Sequence, residues 1–254
     1  MEKDLNELAA RLKRAAGANL QSVVLYGSAA SGGFHPKHSD LNVLCILERL
    51  DAGALEQLNA ATTWWARKGN PPPLVFTAEE LRRAADVFSI ELLDIKAGHR
   101  VLFGEDPFAS IEVPMRLHRH QVQRELRSNL VRLRQHYLAA PRRDKTLLRL
   151  MTESVSSFTT LFRHALIALG DSAPPAAAPE SAAASGHSRA VERARGAIDR
   201  LAALFGFDPG GFHALLDVRE GKRQTRSLDA RSTFQNYLEV VTRVAQAVDE
   251  RLND

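Results

Sequence analysis

The sequence predicts two parts, an α/β domain with a mixed sheet and flanking helices, and an all-α helical bundle that follows it. Short apolar, β-branched runs bounded by turn residues occur in the first part, which is typical of buried strands. From about residue 113 onward, apolar residues recur at helical spacing over long stretches. We therefore assign residues 1–110 to the α/β domain and residues 111–254 to the bundle.

The composition is that of a globular protein. Of the 254 residues, 44% are hydrophobic and 25% are charged, which excludes disorder over the whole chain. No apolar run reaches the length of a membrane helix, and the charged N-terminus does not resemble a signal peptide. Cys45 is the single cysteine, which excludes a disulfide framework and a cysteine zinc site. These observations predict a cytoplasmic protein with no membrane partner.

The two parts differ in charge. Residues 1–110 carry 12 Lys and Arg against 14 Asp and Glu, a balance of −2, whereas residues 111–254 carry 22 against 16, a balance of +6. Such an asymmetry indicates an anionic partner for the second part, or a partner helix, or a solvated face. The charge alone leaves these three alternatives open.

Two apolar runs near the N-terminus organise the first domain. We predict that Leu20–Tyr26 and Leu41–Leu47 form adjacent strands of one sheet. The loop between them begins with Gly27-Ser28 and is rich in glycine, so it is better suited to surrounding a ligand than to packing. The second run is preceded by Asp40, which places a carboxylate where the strand begins.

A strand, Gly-Ser, eleven further residues, and then an acidic residue at the next strand resembles the signature of the polymerase-β-like nucleotidyltransferases. The segment HRVLFGEDP (residues 99–107) resembles the aminoglycoside-modifying branch of that family. The resemblance implies that Gly27 and Ser28 contact the phosphates of a nucleoside triphosphate, with ATP as the expected nucleotide. It also implies that Asp40 and position 42 bind Mg²⁺, with Asp40 as the catalytic carboxylate. Lys37, or an arginine of the long helix that follows, is the candidate to offset the charge that develops on the phosphates.

The sequence departs from that family at position 42, where Asn42 stands in place of a second carboxylate. Alternate residues of a strand point to the same side, so Asp40 and Asn42 are expected to face one site. An amide offers a carbonyl oxygen but no charge, and two-metal phosphoryl transfer needs enough negative charge for both ions. Asn42 is therefore expected to be a weak metal ligand.

The family's third carboxylate, a metal ligand or general base, also has no counterpart on the predicted third strand, Leu74–Thr77. Glu79 and Glu80 follow that strand in the first turn of a predicted helix, where acids favour the helix dipole. We interpret Ser89–Lys96 as a further strand, from which an acidic residue would replace the missing one only if the sheet brought it beside Asp40. The candidates on that segment are Glu91 and Asp94.

These features predict a nucleotidyltransferase-domain protein that moves a nucleotide from a triphosphate to an unknown small-molecule or protein acceptor. With a depleted metal site, its activity is expected to be weak or lost. The alternative is a pseudoenzyme that binds a nucleotide or a partner without catalysis. A zinc role for His35 and His38 competes with plain surface positions. A ribonuclease role is disfavoured, because no histidine follows an arginine by four to six intervening residues.

The second part contains an arginine row, Arg116, Arg127 and Arg134, on a predicted helix. The row either binds an anionic ligand or is a solvated or partner-facing edge. It flanks an apolar stripe, which consists of Met115, Val122, Leu126, Leu130, Leu133 and Tyr137. An Ala-, Pro- and Ser-rich segment, residues 171–188, predicts a flexible loop between two later helices.

The remaining predicted elements are helices. Asp4 is expected to cap the first one, and the adjacent Trp64 and Trp65 cannot both face inward, so one should be buried while the other bridges to a neighbour. The predicted helices are Asp4–Ala16, Asp51–Lys68, Ala78–Val87, Asp144–Leu169, Arg189–Phe205, Phe212–Val218 and Ala230–Leu252.

Overall fold

The computed structural model describes residues 1–30, 40–139, 143–171 and 186–253. The chain divides into two compact units, of which the first contains Met1–Leu117 and the second contains most of the chain from His118 onward. In the described part of the chain, no helix is both long enough and apolar enough to cross a membrane.

Eight elements build the sheet and its covering helices. They are α1 (Glu2–Ala16), β1 (Leu20–Tyr26), β2 (Asn42–Leu47), α2 (Ala52–Arg67), β3 (Leu74–Thr77), α3 (Ala78–Ala84), α4 (Ser89–Ala97) and β4 (His99–Gly104).

The four strands form one sheet in the order β3-β2-β1-β4. β1 runs antiparallel to both β2 and β4, and β2 runs parallel to β3. The predicted mixed sheet is confirmed, as is the pairing of the first two apolar runs. In that pair Leu20 lies opposite Leu47, and Tyr26 lies opposite Asn42.

Both faces of the sheet are buried, which explains why β1 and β2 are apolar along most of their length. One face packs against α1 and α2, and the other against α3, α4 and the segment after β4. The residues facing α1 and α2 include Val23, Leu25, Val43, Cys45 and Leu47. The residues on the opposite face include Val24, Leu44 and Ile46.

The prediction of a strand at Ser89–Lys96 is wrong, because this segment forms helix α4. The free edge of β1 is instead paired with β4, so no position in the sheet next to β1 is left for this segment. Ile90, Leu92 and Ile95 are buried, and Leu92 and Ile95 pack on the sheet as part of its cover. A short run of mixed apolar residues does not distinguish a helix from a strand, so the tertiary context decided.

Helix α1 begins at Glu2, with Met1 at its N-cap, so the prediction that Asp4 caps it is also wrong. Asp4 lies in the first turn and its carboxylate is 3.2 Å from the Lys68 ammonium at the end of α2. The tryptophan prediction is confirmed. Trp65 is completely buried, and the ring of Trp64 has the Arg11 guanidinium 4.6 Å from its centroid, which bridges α2 to α1.

Five helices follow, in a part of the chain where the described residues contain no strand. They are α5 (Met115–Ala139), α6 (Asp144–Ala168), α7 (Gly186–Phe205), α8 (Gly210–Arg219) and α9 (Ala230–Asn253). Helix α7 begins at Gly186, so the last three residues of the predicted 171–188 loop are helical instead. Apart from Asp171, the rest of that loop lies outside the described residues.

An aromatic cluster joins α6, α8 and α9. Phe212 stacks on Tyr237 with ring centroids 4.5 Å apart, and Phe162 lies 5.1 Å from Phe212. The Tyr237 hydroxyl is within 2.9 Å of the Ser154 hydroxyl, which gives this buried phenol a hydrogen-bond partner. Burial raises the pKa of Tyr237, despite that hydrogen bond, so the side chain stays neutral.

Arg195 joins α7 to α8 through a partly buried ion cluster. Its guanidinium is 2.6 Å from the Asp217 carboxylate and 2.8 Å from that of Glu220. Burial alone would raise the pKa of Glu220, but hydrogen bonds from Arg195 and Lys222 outweigh burial and lower it. Glu220 is therefore held as a carboxylate in the folded protein.

Glycine at position 104 is required by the sheet itself. Gly104 has φ +77°, and a Cβ at this position would lie 1.9 Å from the carbonyl oxygen of Gln21 on β1. Gly69 has a similar φ of +85°, but a Cβ there would meet no atom within 4 Å. The two glycines therefore separate the cost of backbone strain from the cost of a steric clash.

We predict that Gly104→Ala lowers the free energy of unfolding by about 3 kcal/mol or more, because β1 and β4 must separate to admit the methyl group. The matched variant Gly69→Ala should cost only about 1–2 kcal/mol, the price of a left-handed backbone. Urea denaturation of both variants measures the difference. Equal losses would show that the close approach of Gly104 to Gln21 does not constrain the sheet.

A second prediction concerns acid stability. The lowered pKa of Glu220 contributes stability that is present above its ordinary value of 4.5 and is lost as the pH falls below it. Arg195→Met removes the main partner, so the variant should lose less stability than wild type between about pH 5 and pH 3. Arg231→Met, at an exposed arginine of α9, is the control. Parallel pH profiles for wild type and Arg195→Met, measured by urea denaturation, would contradict the assignment.

Candidate functional site

The candidate site lies at the end of the two central strands where β1 ends and β2 begins. Tyr26, the last residue of β1, is the register partner of Asn42, the first residue of β2. A single 3₁₀ turn, Gly27–Ala29, follows directly after β1. The antiparallel pairing therefore brings the Gly-Ser turn and the start of β2 to the same end of the sheet.

Asn42 occupies the space beside Gly27. It has φ +78°, a left-handed backbone that favours glycine, and a Cβ at this position would be 3.3 Å from Asn42 Nδ2. The side-chain amide of Asn42 thus lies beside the Cα of Gly27. A side chain at position 27 would crowd this amide and would require a left-handed backbone, so glycine fits this position best.

Asn70 anchors the start of β2. The Leu41 backbone N–H donates a hydrogen bond to Asn70 Oδ1 at 3.2 Å, and the Leu41 side chain is buried against α1 and α2. Because neighbouring residues of an extended chain alternate sides, Asp40 and Asn42 lie away from that core. Asp40 is exposed and Asn42 is half-buried. Sequence reasoning missed Asn70, whose only signal is its place in the turn before three prolines.

Tyr26 also borders this end of the sheet. Its register partners are Asn42 on one side and His99 of β4 on the other. The ring is half-buried, and burial raises the pKa of its hydroxyl. Both nitrogens of the His99 ring have oxygen partners at 3.0 Å, the Ile95 carbonyl and the Asp106 carboxylate. His99 therefore supports the fold at this edge and has no free ring nitrogen to act as a base.

The third strand carries no acid, as expected from the sequence. Leu74 is the register partner of Leu44, two residues after Asn42, and its side chain is 43% exposed. Glu80 forms a capping box with Thr77, in which each side chain hydrogen-bonds the other residue's backbone N–H. Glu79 pairs with Arg83 one turn further along α3. Both acids thus stabilise α3.

Glu91 and Asp94 lie on helix α4 and not on a strand, so they do not occupy the sheet position considered for a replacement acid. Among the residues described in the structure, no group of three or more His, Cys, Asp or Glu side chains is placed to hold a metal ion. The zinc candidates His35 and His38, together with Lys37, fall within residues 31–39, outside the described part.

The donor chemistry of this corner can be tested against Mg²⁺. Mg²⁺ binds commonly through one or two carboxylates together with substrate phosphates and water. By donor type, Asp40 offers one carboxylate and Asn42 one amide oxygen. A pair of ions about 4 Å apart needs more negative charge than one carboxylate supplies. The donor set of these two residues is therefore that of at most one divalent cation.

The arginine row is divided between different surroundings. Arg127 forms an ion pair with Asp249 of α9, and Arg134 lies 3.5 Å from the Thr242 hydroxyl of the same helix. Arg116 is exposed. Of the flanking stripe, Val122, Leu126, Leu130 and Leu133 are buried, whereas Met115 and Tyr137 are 38% and 47% exposed. Arg127 and Arg134 thus face a neighbouring helix, one of the alternatives that the sequence left open.

We predict that Arg127→Gln lowers the free energy of unfolding by about 1–3 kcal/mol, because it leaves the largely buried Asp249 carboxylate without its cation. Adding Asp249→Asn should restore part of the loss. Arg132→Gln, an exposed position on the same helix, is the control and should change stability by less than about 0.5 kcal/mol. Thermal and urea unfolding measure these effects.

The same row can be tested as an anion site. If Arg116, Arg127 and Arg134 bind an anionic ligand, its affinity should fall steeply with salt, and replacing all three by Gln should flatten that dependence. If no phosphate-bearing ligand binds even at low salt, the anion-site interpretation of these arginines is dropped.

Comparison with known proteins adds the fold. No family model matches the chain, and no curated protein matches it significantly in sequence. Among solved structures, the chain is similar to spectinomycin adenyltransferase AAD(9) from Enterococcus faecialis, determined with ATP and spectinomycin. The TM-score is 0.52 at 13% sequence identity, and the match covers 100% of both chains.

At this identity the likeness establishes the fold alone. The chain therefore has a nucleotidyltransferase-like fold, which confirms the coarse prediction made from the Gly-Ser and Asp40 signature. Membership in the polymerase-β-like family and the roles of Gly27, Ser28, Lys37, Asp40 and Asn42 stay predictions.

Proposed function

We propose that this protein binds ATP at the end of the sheet where β1 ends and β2 begins. We propose further that it slowly transfers the nucleotidyl group of ATP to a hydroxyl-bearing small molecule. The observation that supports the proposal is that the Gly27 turn after β1 lies beside Asn42, the first residue of β2, with Asp40 two residues before it. The shared fold supports it, because the similar adenyltransferase was solved with ATP and a small molecule.

In the proposed reaction, the acceptor hydroxyl oxygen forms a bond to the α-phosphorus of ATP. The bond between that phosphorus and the bridging oxygen breaks, and pyrophosphate leaves with the electron pair. The hydroxyl proton passes to water. Gly27 and Ser28 would position the triphosphate, and such positioning accounts for much of catalysis in phosphoryl transfer.

The side chains that would hold a cation are Asp40 and Asn42, together with the phosphates. A bound Mg²⁺ would neutralise part of the negative charge that develops on the phosphates. The remaining task, activation of the acceptor, falls to a general base, and β3 offers only Leu74 and Phe76 on the site's side of the sheet. Slow transfer follows from this composition.

A second candidate function is nucleotide binding without transfer. The observation that favours it is the pair of uncharged side chains, Asn42 and the exposed Leu74, at positions facing the proposed site. Such a protein would act as a nucleotide sensor, would sequester the nucleotide, or would bind a partner when the nucleotide is bound. The two candidates share the ATP site and differ only in turnover.

We predict that Gly27→Ala weakens ATP binding at least tenfold, because a methyl group there crowds the Asn42 amide and strains the left-handed backbone of the turn. Gly170→Ala is the matched control, since it introduces the same residue at a similar φ of +75°, meets no atom within 4 Å, and belongs to the second unit. Isothermal titration calorimetry with ATP and Mg²⁺ measures both. Equal ATP affinities for wild type and Gly27→Ala would show that ATP binds away from Gly27. No ATP binding to wild type would overturn the proposed site.

Transfer is measured in the same preparations with α-labelled ATP and a panel of hydroxyl-bearing acceptors that includes spectinomycin. The labelled product and pyrophosphate should form at equal rates, and Gly27→Ala should abolish both. Binding of ATP with no labelled product for any acceptor would favour the second candidate. Rapid turnover would show that one carboxylate and one amide suffice.

A further inference from the structure

The strands and the turn that form the candidate site supply little negative charge. β1, β2, β3 and the turn Gly27–Ala29 contain no Asp or Glu, so Asp40 is the carboxylate that these described segments bring to this edge. Asn42 contributes an amide, which has an oxygen to bind a cation but no charge to offset it. One carboxylate and one neutral amide limit how many divalent cations can bind at this end of the sheet, where β1 ends and β2 begins.

The neighbouring strand β3 also offers no charged ligand, because its first residue is Leu74. The pairing of Leu44 with Leu74 places Leu74 diagonally next to Asn42, on the face of the sheet that carries Leu44 and Ile46. Its side chain is 43% exposed although it begins a strand whose neighbour β2 is buried. An exposed leucine here is an apolar group at a position where a carboxylate would reach toward Asn42.

Two divalent cations at a given distance repel each other about four times as strongly as two unit charges. Two-metal sites overcome this repulsion with several shared carboxylates. Asp40, Asn42 and Leu74 together supply one negative charge, which is enough for one cation that completes its shell with phosphate oxygens and water.

We propose that this corner binds one divalent cation per nucleotide, and that Asn42 and Leu74 together exclude the second. The inference rests on the proposed ATP site and defines its metal content. It assigns Leu74 the position of the missing ligand, which neither the sequence pattern nor the shared fold identifies by itself. The cation arrives with the triphosphate, because Asp40 alone is a weak ligand.

The test counts Mn²⁺ bound with α,β-methylene-ATP, whose α–β bridge cannot be cleaved. Equilibrium dialysis, with electron paramagnetic resonance for free Mn²⁺, gives bound Mn²⁺ and bound nucleotide per protein. Wild type should bind one Mn²⁺ per nucleotide. The double variant Asn42→Asp/Leu74→Glu should bind two, with at least tenfold tighter Mn²⁺ binding at the added site.

The matched control is Asn42→Asp/Leu55→Glu. It also replaces one asparagine by aspartate and one exposed leucine by glutamate, but Leu55 lies on α2 and is 49% exposed. It should stay at one Mn²⁺ per nucleotide. If the Leu74 variant does not fold, the count of one in wild type still tests the proposal, as does the single variant Asn42→Asp, which should also bind one.

The outcomes separate this inference from the proposed function. Two Mn²⁺ per nucleotide in wild type would overturn the inference and leave ATP binding intact. A count of one in the folded Leu74 double variant, or two in the Leu55 control, would overturn the role assigned to Leu74. No binding of the nucleotide analogue under any condition would overturn the proposed function and the inference together.

Discussion

The antiparallel pairing of β1 with β2 is the constraint on which the rest of the first unit depends. Its register sets Tyr26 against Asn42 and Leu20 against Leu47. Because side chains alternate along a strand, a shift of one residue would turn Val43, Cys45 and Leu47 away from α1 and α2. The buried faces therefore fix the register, and the register fixes which residues meet at the candidate site.

The packing that fixes the register does not depend on the residues at the strand ends. The strands therefore keep their positions although the candidate site carries few acidic residues. Asn42 lies beside Gly27 because β1 ends where β2 begins, and the Leu41 N–H at the start of β2 donates a hydrogen bond to Asn70 Oδ1. The fold is nucleotidyltransferase-like, while β1, β2, β3 and the turn Gly27–Ala29 contain no acidic residue. A fold can be retained by its packing after the chemistry of one corner has changed.

Much of the framework was predictable from local patterns. The two apolar runs, the mixed sheet, the helix from Asp51 and the division of labour between Trp64 and Trp65 follow from residue spacing and turn chemistry. The strand predicted at Ser89–Lys96 failed because short apolar runs suit either structure, and only the pairing of β4 with β1 excludes a strand there. Likewise, the partners of Arg127 and Arg134 lie on α9, more than a hundred residues away.

The sequence by itself determined the composition of the candidate site, one carboxylate at Asp40 and an amide at Asn42, since residue identity decides charge. It also determined the Gly-Ser turn, because residue type restricts the backbone. Only the tertiary structure decided that Asn42 lies beside Gly27, that Asn70 hydrogen-bonds the Leu41 N–H before β2, and that Leu74 is diagonal to Asn42. These contacts depend on strand order and register, which are set by burial of both sheet faces and not by any local pattern.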